Sequence, residues 1–485
     1  MSGMSLILQY GLASVLVLLA LFSAQLAALA CLRLMLPRPR LRMPHLPDEA
    51  LPDILVQLPV CDEGALAVRV AHAASRLDWP ADKLEIQILD DGFEENHAAL
   101  RAAIMQTVPQ GVKVSILRRG ERAGFKAGNL AFGLKHSKAP YVAIFDADFV
   151  PGPDFLRRTV PALIADRGLS FVQARWTHAN RNLNWLTRAQ GLLLDSHFAV
   201  EQEARFRAGL PISFNGTVGV WRREAIEDAG GWSGDTLTED LDLSMRCALK
   251  GWRTAFLPDV EVPGELPETA AAWRAQQGRW TKGHAQCAKK LLPTIWASDV
   301  PLYLKAVMSL QMCQFAFYTL AFVSAAISLT LMYMDVVYLK GVGYLGLAVT
   351  AFGLSGSLGY LYLGQKLLGR HRAIGLHRSL LLAIVFPSGL ILANARATYE
   401  AFFGTQMNFQ RTLRSGERYV GGWRGGPELI AGLALPIFAF AEQAWSAPFF
   451  AFAVAGLVSI GAMGFSSGVS RNAREIAPSR FLPRE

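Results

Sequence analysis

Two observations predict that this 485-residue chain combines an α/β domain, built on a mainly parallel sheet, with a bundle of membrane-spanning helices. First, hydrophobic residues make up 52% of the chain, and they gather at its two ends, whereas residues 51–304 intersperse charges of both signs. Second, short β-rich runs in that middle stretch alternate with helix-length ones, and strands separated by helices imply right-handed βαβ units.

The elements follow in order. Met4 to Leu32 is one apolar run without a charge. It lacks a basic leader and exceeds the usual signal-peptide core, so it reads as an anchor. Arg33, Arg38, Arg40 and Arg42 follow it, which places the N-terminus outside and the middle domain in the cytoplasm by the positive-inside rule. After a Pro/Arg linker come strand-like runs at 54–59, 84–89, 112–117 and 141–145, with helical stretches near 64–77, 95–108 and 124–137. Ligands of such sheets bind beyond the carboxyl ends of the strands. Two strands end there in acids, Asp90-Asp91-Gly92 and Asp146-Ala147-Asp148.

In the C-terminal third, Val307 to Met334 and Val342 to Leu363 are long enough to span. The loops Lys366 to Arg378 and Arg411 to Arg424 are both basic and expected in the cytoplasm. Leu380 to Phe403, interrupted by Pro387, Arg396 and Glu400, therefore re-enters, lies in the interface or forms a tight hairpin. Leu429 to Phe440 and Phe449 to Met463 complete five expected spans, and Arg471, Arg474, Arg480 and Arg484 mark a cytoplasmic tail. The expected units are an N-terminal helix (1–36), a cytosolic domain (50–300), C-terminal interface and membrane helices (301–466) and a basic tail (467–485). The setting is a multi-pass protein of the cell's inner (plasma) membrane.

Composition excludes some classes. The five cysteines show no paired spacing and no Cys/His cluster, so neither disulfides nor a zinc site is expected. The net charge of +9 owes much to arginines at membrane edges, which suits acidic lipid headgroups; no nucleic-acid partner is expected. No G-x-x-x-x-G-K-[ST] loop occurs, and no G-x-G-x-x-G follows the first strand.

Four segments carry chemistry. In Asp146-Ala147-Asp148 the two acids share one face of an extended segment, and paired hard oxygens suit Mg²⁺ or Mn²⁺; a solvated strand-end turn is the competing reading. Thr238-Glu239-Asp240-Leu241-Asp242 opens a helical run, where a threonine cap with acids in the first turn competes with a general base. Lys126 stands between Gly124 and Gly128, whose lack of side chains permits backbone approach to an anion; a polar helix start is the alternative. Gln276, Arg279 and Trp280 share a helix face at i, i+3 and i+4. They offer an amide, a guanidinium for phosphate and an indole for sugar stacking, or else an anchor at the membrane surface.

Taken in this order, Asp90-Asp91-Gly92, Asp146-Ala147-Asp148, Thr238-Glu239-Asp240 and Gln276-Gln277-Gly278-Arg279-Trp280 resemble the D-D-G, D-x-D, T-E-D and Q-x-x-R-W motifs of family 2 processive membrane glycosyltransferases. Val172-Gln173-Ala174-Arg175-Trp176, Phe214-Asn215-Gly216-Thr217 and Phe409-Gln410-Arg411-Thr412 resemble its cellulose synthase-like mannan and glucan synthase branch. The resemblance implies a GT-A-like domain, with Asp90 and Asp91 at the nucleotide and Lys126 at the diphosphate. It also implies Asp148 with Asp146 at a Mg²⁺ or Mn²⁺ ion and the donor phosphates, and Asp240 as general base. Gln276 and Arg279 would meet the pyrophosphate, with Trp280 and Glu239 at the acceptor. Partners would be a nucleotide-sugar donor such as UDP-glucose or GDP-mannose, a glycan acceptor and membrane lipids. The product would be a β-linked glucan or (gluco)mannan passed across the membrane. The alternatives are single addition to a lipid acceptor and, in another class, a non-catalytic scaffold or transporter. Where the family commonly has P-x-Y-N-E after its first strand, this chain has Pro59-Val60-Cys61-Asp62-Glu63. No PilZ-like module is recognised, so no second-messenger control is expected.

Overall fold

The computed structural model describes residues 3–109, 111–337, 339–404, 426–441 and 454–463. Among them, seven strands form one sheet in the order β3-β2-β1-β4-β6-β5-β7. They are β1 (Ile54–Val60), β2 (Leu84–Asp90), β3 (Lys113–Arg118), β4 (Tyr141–Ile144), β5 (Leu169–His178), β6 (Gly219–Arg222) and β7 (Arg253–Gly264). The pairs β1/β2, β1/β4, β2/β3 and β5/β7 are parallel, and β6 runs antiparallel to both β4 and β5. The carboxyl ends of the other six strands therefore share one edge, and β6 starts from that edge. Every residue of β1 but Pro59 is buried, as are all of β4 and β6, the continuous apolar pattern of strands covered on both faces.

The expected crossover helices form as Ala65–Ala74, Glu94–Thr107 and Phe125–Leu134. Helix Ala270–Ala297 then carries the chain from the sheet towards the apolar helices, with Trp296 and Tyr303 exposed at its far end.

Among the described residues three helical segments are long and apolar enough to cross a membrane: Gly3–Met35, Leu302–Tyr333 and Lys340–Leu367. Helix Gly426–Ala441 covers the expected run Leu429 to Phe440, and residues 454–463 form another helix; residues 449–453 lie outside the described residues. The ambiguous segment folds as Leu376–Ser388 and Ile391–Phe403, bent by 44° at the break. Pro387, in the last turn of the first helix, removes a donor where the chain bends. A 44° bend is not the tight hairpin, which leaves a broken span or a re-entrant segment. The F-x-R-T segment Phe409 to Thr412, the loop to Arg424 and the tail lie outside the described residues.

Arginines that sequence reasoning assigned to headgroups also dock the domain. Arg33 Nε donates to Ala199 O (2.9 Å), and Arg38 Nη1 pairs with Asp259 (2.7 Å). Asp195, on helix Trp185–Ser196, is fully buried at its carboxylate. It accepts from Arg181, from Arg370 Nη1 (2.9 Å) and from Gln365 Nε2 (3.1 Å), the last two at the end of helix Lys340–Leu367. Burial alone would raise the Asp195 pKa, but the two guanidiniums hold it below the ordinary carboxylate value. Removing the carboxylate leaves two guanidiniums without their counter-charge, which costs on the order of 3 kcal/mol for a buried pair. Asp195→Ala is therefore expected to lower the thermal unfolding midpoint of the detergent-solubilised chain; an unchanged midpoint would show that the joint contributes nothing.

Candidate active site

The acids at the strand ends are already engaged. Asp90 closes β2 and is 2% exposed; its carboxylate meets His97 Nδ1 (2.6 Å), Arg118 Nη1 (3.3 Å) and the Gly92 amide (2.8 Å). Asp91 is held by both arms of Arg119, at 2.8 Å from Nε and 2.6 Å from Nη2, a bidentate fork. A Cβ on Gly92 would lie 2.7 Å from Asp62 Oδ1, which explains the glycine of D-D-G. Asp91 lines a cleft of about 130 Å³ with Cys61, Arg122, Lys126, Asp146, Asp148 and Arg279, and Asp90 stands behind it. A larger hollow of about 410 Å³ at the opposite edge, bordered by Asp53, Lys83, Lys113 and Lys138, holds none of the motif residues.

Arg119 also shapes the lysine loop, donating to Ala123 O (2.5 Å) and Phe125 O (2.7 Å). Gly124 is left-handed at φ +68°, and a Cβ on Gly128 would lie 2.0 Å from Ala123 O. Gly128 thus makes room for the turn itself. Lys126, in the first turn of helix Phe125–Leu134, reaches Asp146 Oδ1 (2.5 Å), Gly216 O (2.8 Å) and Glu239 Oε1 (3.8 Å). Burial works to lower its pKa, but Asp146, Glu239 and Asp240 outweigh burial and raise it.

Asp146 and Asp148 follow β4, and Asp148 is 4% exposed. The Asp146 amide donates to Thr217 Oγ1 (2.9 Å), so the D-x-D turn rests on Phe214-Asn215-Gly216-Thr217. Gln173 of β5, fully buried, holds that segment: it accepts from the Asn215 amide (3.0 Å) and donates to the carbonyls of Thr217 (3.0 Å) and Val218 (2.9 Å). Two motifs legible only by resemblance are thereby one physical unit. Val218 has φ +63°, uncommon for a β-branched residue and found where surroundings over-determine the backbone. Gly216 has φ +81°, and a Cβ there would sit 3.1 Å from Asp240 Oδ2 and 3.6 Å from Lys126 Nζ.

Helix Glu239–Leu249 sorts its three acids. Asp242 is spent on Arg246 (2.6 Å) and Lys290 (2.8 Å). Thr238 occupies the N-cap position without a side-chain capping bond; its hydroxyl lies 3.3 Å from Cys287 Sγ. Glu239 and Asp240 remain beside Lys126. Burial raises the Glu239 pKa against the pull of Lys126. Burial and the neighbouring Glu239 push Asp240 up to about 7. Helix Ala270–Ala297 packs on this turn because Gly283 has no side chain: a Cβ would lie 2.5 Å from Thr238 Cγ2. Arg279 lines the cleft and its charge acts on Glu239. Gln276 and Trp280 are half-buried one turn apart on the same helix.

The structure therefore gathers Asp91, Lys126, Asp146, Asp148, Glu239, Asp240 and Arg279 around the shared carboxyl edge. Sequence reasoning missed Arg119 and Gln173 as supports, and it read Gly216 only as part of a resemblance. Arg119, one residue past β3, carried no signal distinguishing it from an ordinary polar residue, and the buried β5 glutamine Gln173 was legible only as part of a resemblance.

Residues 141–363 match the family described as Glycosyl transferase family group 2. That stretch is thus similar to family 2 glycosyltransferases, and the fold is GT-A-like. Among curated relatives it is 43% identical over 256 residues to glucomannan 4-beta-mannosyltransferase 1 of Oryza sativa subsp. japonica, covering 52% of this chain and 49% of that one. It is 42% identical over 248 residues to glucomannan 4-beta-mannosyltransferase 2 of Arabidopsis thaliana, covering 50% and 46%. The chain spans about half the length of these relatives. A solved mannosyltransferase from Pyrobaculum calidifontis, in complex with GDP-Man and Mn²⁺, superposes with a TM-score of 0.54 at 21% identity, over 81% of this chain and 100% of that one, which shows a shared fold.

Gly216→Ala places a methyl group against Asp240 and forces a left-handed alanine, a strain of about 1–2 kcal/mol. Sugar transfer by this variant is expected to fall at least ~10-fold with the unfolding midpoint little changed; wild-type turnover would show that the contact does not matter.

Proposed function

We propose that the protein is a membrane glycosyltransferase that moves a hexose from a nucleotide sugar to a growing β-linked polysaccharide. The observation that carries this reading is the convergence on Lys126 of Asp146, Glu239 and Asp240, with Asp148 and Arg279 in the same cleft. The glucomannan mannosyltransferase relatives favour a β-mannan or glucomannan product, and with the GDP-Man-bound neighbour they favour GDP-mannose as donor.

In this reading Asp240 is the general base. An acceptor hydroxyl oxygen attacks the anomeric carbon on the face opposite the diphosphate. The bond from that carbon to the phosphate oxygen breaks, its electron pair leaves with the nucleoside diphosphate, and the hydroxyl proton passes to Asp240. The configuration inverts, so an α-linked donor gives a β-linkage. Lys126, Gln276 and Arg279 neutralise and orient the diphosphate, Asp91 with Asp90 behind it borders the nucleotide, and Trp280 with Glu239 borders the acceptor. Preorganised cations and a placed base are the main sources of rate in such transfers.

A divalent cation fits the acids. Asp148 and Asp146 supply hard oxygen donors two residues apart, and among the described residues no cluster of three or more acidic, His or Cys side chains forms an all-protein cage. That is the composition of a Mg²⁺ or Mn²⁺ site completed by substrate phosphates. When bound, the ion would neutralise the leaving diphosphate. The basic flank Arg33 to Arg42 favours a cytosolic catalytic domain, about residues 50–300, with the polymer passing towards the helices beyond Trp280.

The direct test incubates the purified full chain and a divalent cation with GDP-mannose, UDP-glucose or UDP-N-acetylglucosamine, then digests the product with linkage-specific hydrolases. Polymer from GDP-mannose that a β-mannanase degrades is expected; no transfer from any donor overturns the reading. Asp240→Asn is expected to abolish transfer while donor binding persists, and near-wild-type rates would sink its assignment as base. Because the base must be ionised and its pKa is raised to about 7, turnover is expected to climb as pH rises through about 7 and fade below it. A profile flat from pH 5 to 8 contradicts that role.

A further inference from the structure

Residues His197–Gln202 form a π-helical turn directly after Asp195, and π-turns occur frequently at functional sites. On one side this turn is gripped by all three long apolar segments. Arg33, at the end of the first, donates to Ala199 O (2.9 Å). Gln314 Nε2, in the second, donates to Glu201 Oε1 (3.3 Å). Ser196 Oγ, at the start of the turn, donates to Leu361 O of the third (3.3 Å), where a Cβ on Gly364 would lie within 2.4 Å of Ser196 Oγ. The segment is thus wedged against the membrane helices with little room to shift.

On its other side the turn meets the catalytic loop through one imidazole. His197 Nδ1 lies 3.0 Å from Glu201 Oε2, and its Nε2 lies 3.1 Å from Asn215 Oδ1. Gln202 Nε2 donates to the same Asn215 oxygen (3.1 Å) and to Ser213 O (3.2 Å). Glu201 is fixed in turn by Arg205 (3.2 Å). Burial would raise the Glu201 pKa, but His197 and Arg205 lower it to about 2, so it is an ionised acceptor. Asn215 precedes Gly216, whose carbonyl holds Lys126 and where an added Cβ would lie 3.1 Å from Asp240 Oδ2. The Asn215 Nδ2 atom is buried without a partner among the described residues, so the amide is held through its oxygen.

We propose that His197 is a positioning residue for sugar transfer: bridging Glu201, which Gln314 of the second apolar segment contacts, to Asn215, it holds Gly216 in register with Lys126 and Asp240. This rests on the reading of Asp240 and Lys126 given under the proposed function. The imidazole touches no reacting atom; it acts by fixing the loop that does. Misplacement of reacting groups by about 1 Å costs on the order of 100-fold in rate, whereas binding of the donor diphosphate depends on charges that His197 does not supply.

The test uses the full chain in nanodiscs, comparing wild type with His197→Ala and the milder His197→Gln, whose amide can still donate to Asn215. For GDP-mannose, His197→Ala is expected to lower kcat by roughly 10- to 100-fold with donor KM within about twofold of wild type. His197→Gln should recover part of the loss. Hydrogen–deuterium exchange of residues 213–218 should rise in His197→Ala and less in His197→Gln. Wild-type kcat in either folded variant, a loss confined to donor KM, or unchanged exchange at 213–218 would overturn the inference. If the wild type itself transfers no sugar, the proposed function fails, and the exchange comparison still decides whether His197 holds the loop.

Discussion

The ammonium of Lys126 ties together three parts of the chain that meet nowhere in sequence. It lies 2.5 Å from Asp146 after β4, 2.8 Å from the Gly216 carbonyl before β6 and 3.8 Å from Glu239 at a helix start. Without a cation there, Asp146, Glu239 and Asp240 would crowd one cleft, and like charges at such range disfavour ionisation strongly. The lysine sets how much negative charge the site tolerates. It thereby bears on how readily the neighbouring Asp240 ionises.

Much of what surrounds Lys126 is support for its geometry. Arg119 bends the preceding loop with two carbonyl bonds while holding Asp91. Gln173 fixes the backbone on which Gly216 and Thr217 sit, and Asp242 spends its charge on Arg246 and Lys290, away from the cleft. Gly283 lets the helix bearing Arg279 lie against Thr238. The same economy links the domain to the apolar helices: Arg33 and Arg370 flank those helices, and each also bonds to the segment around Asp195 and Ala199.

The sequence was informative where chemistry or periodicity leaves a local trace. The strands and crossover helices up to β4 lie within two or three residues of their expected positions, because continuous β-branched runs and helical spacing are local signals. The acids were legible as candidates because they fall at strand and helix ends. What escaped was long-range: β6 and its reversed direction, the sharing of Asn215 between β5 and the π-turn, and the division of labour among Glu239, Asp240 and Asp242. The glycines beside Lys126 were visible, but their reason was not, since close packing of Gly128 on Ala123 depends on a turn set by Arg119.

The dependence of the site on the Lys126 charge is tested most directly by calorimetric titration of GDP-mannose, with a divalent cation, into the full chain carrying Lys126→Met. Methionine keeps much of the side chain's length and removes its charge. The expected result is donor affinity weakened by at least about tenfold, equivalent to about 1.4 kcal/mol. Wild-type affinity in that variant would contradict the assignment of Lys126 as the cation around which the site is organised.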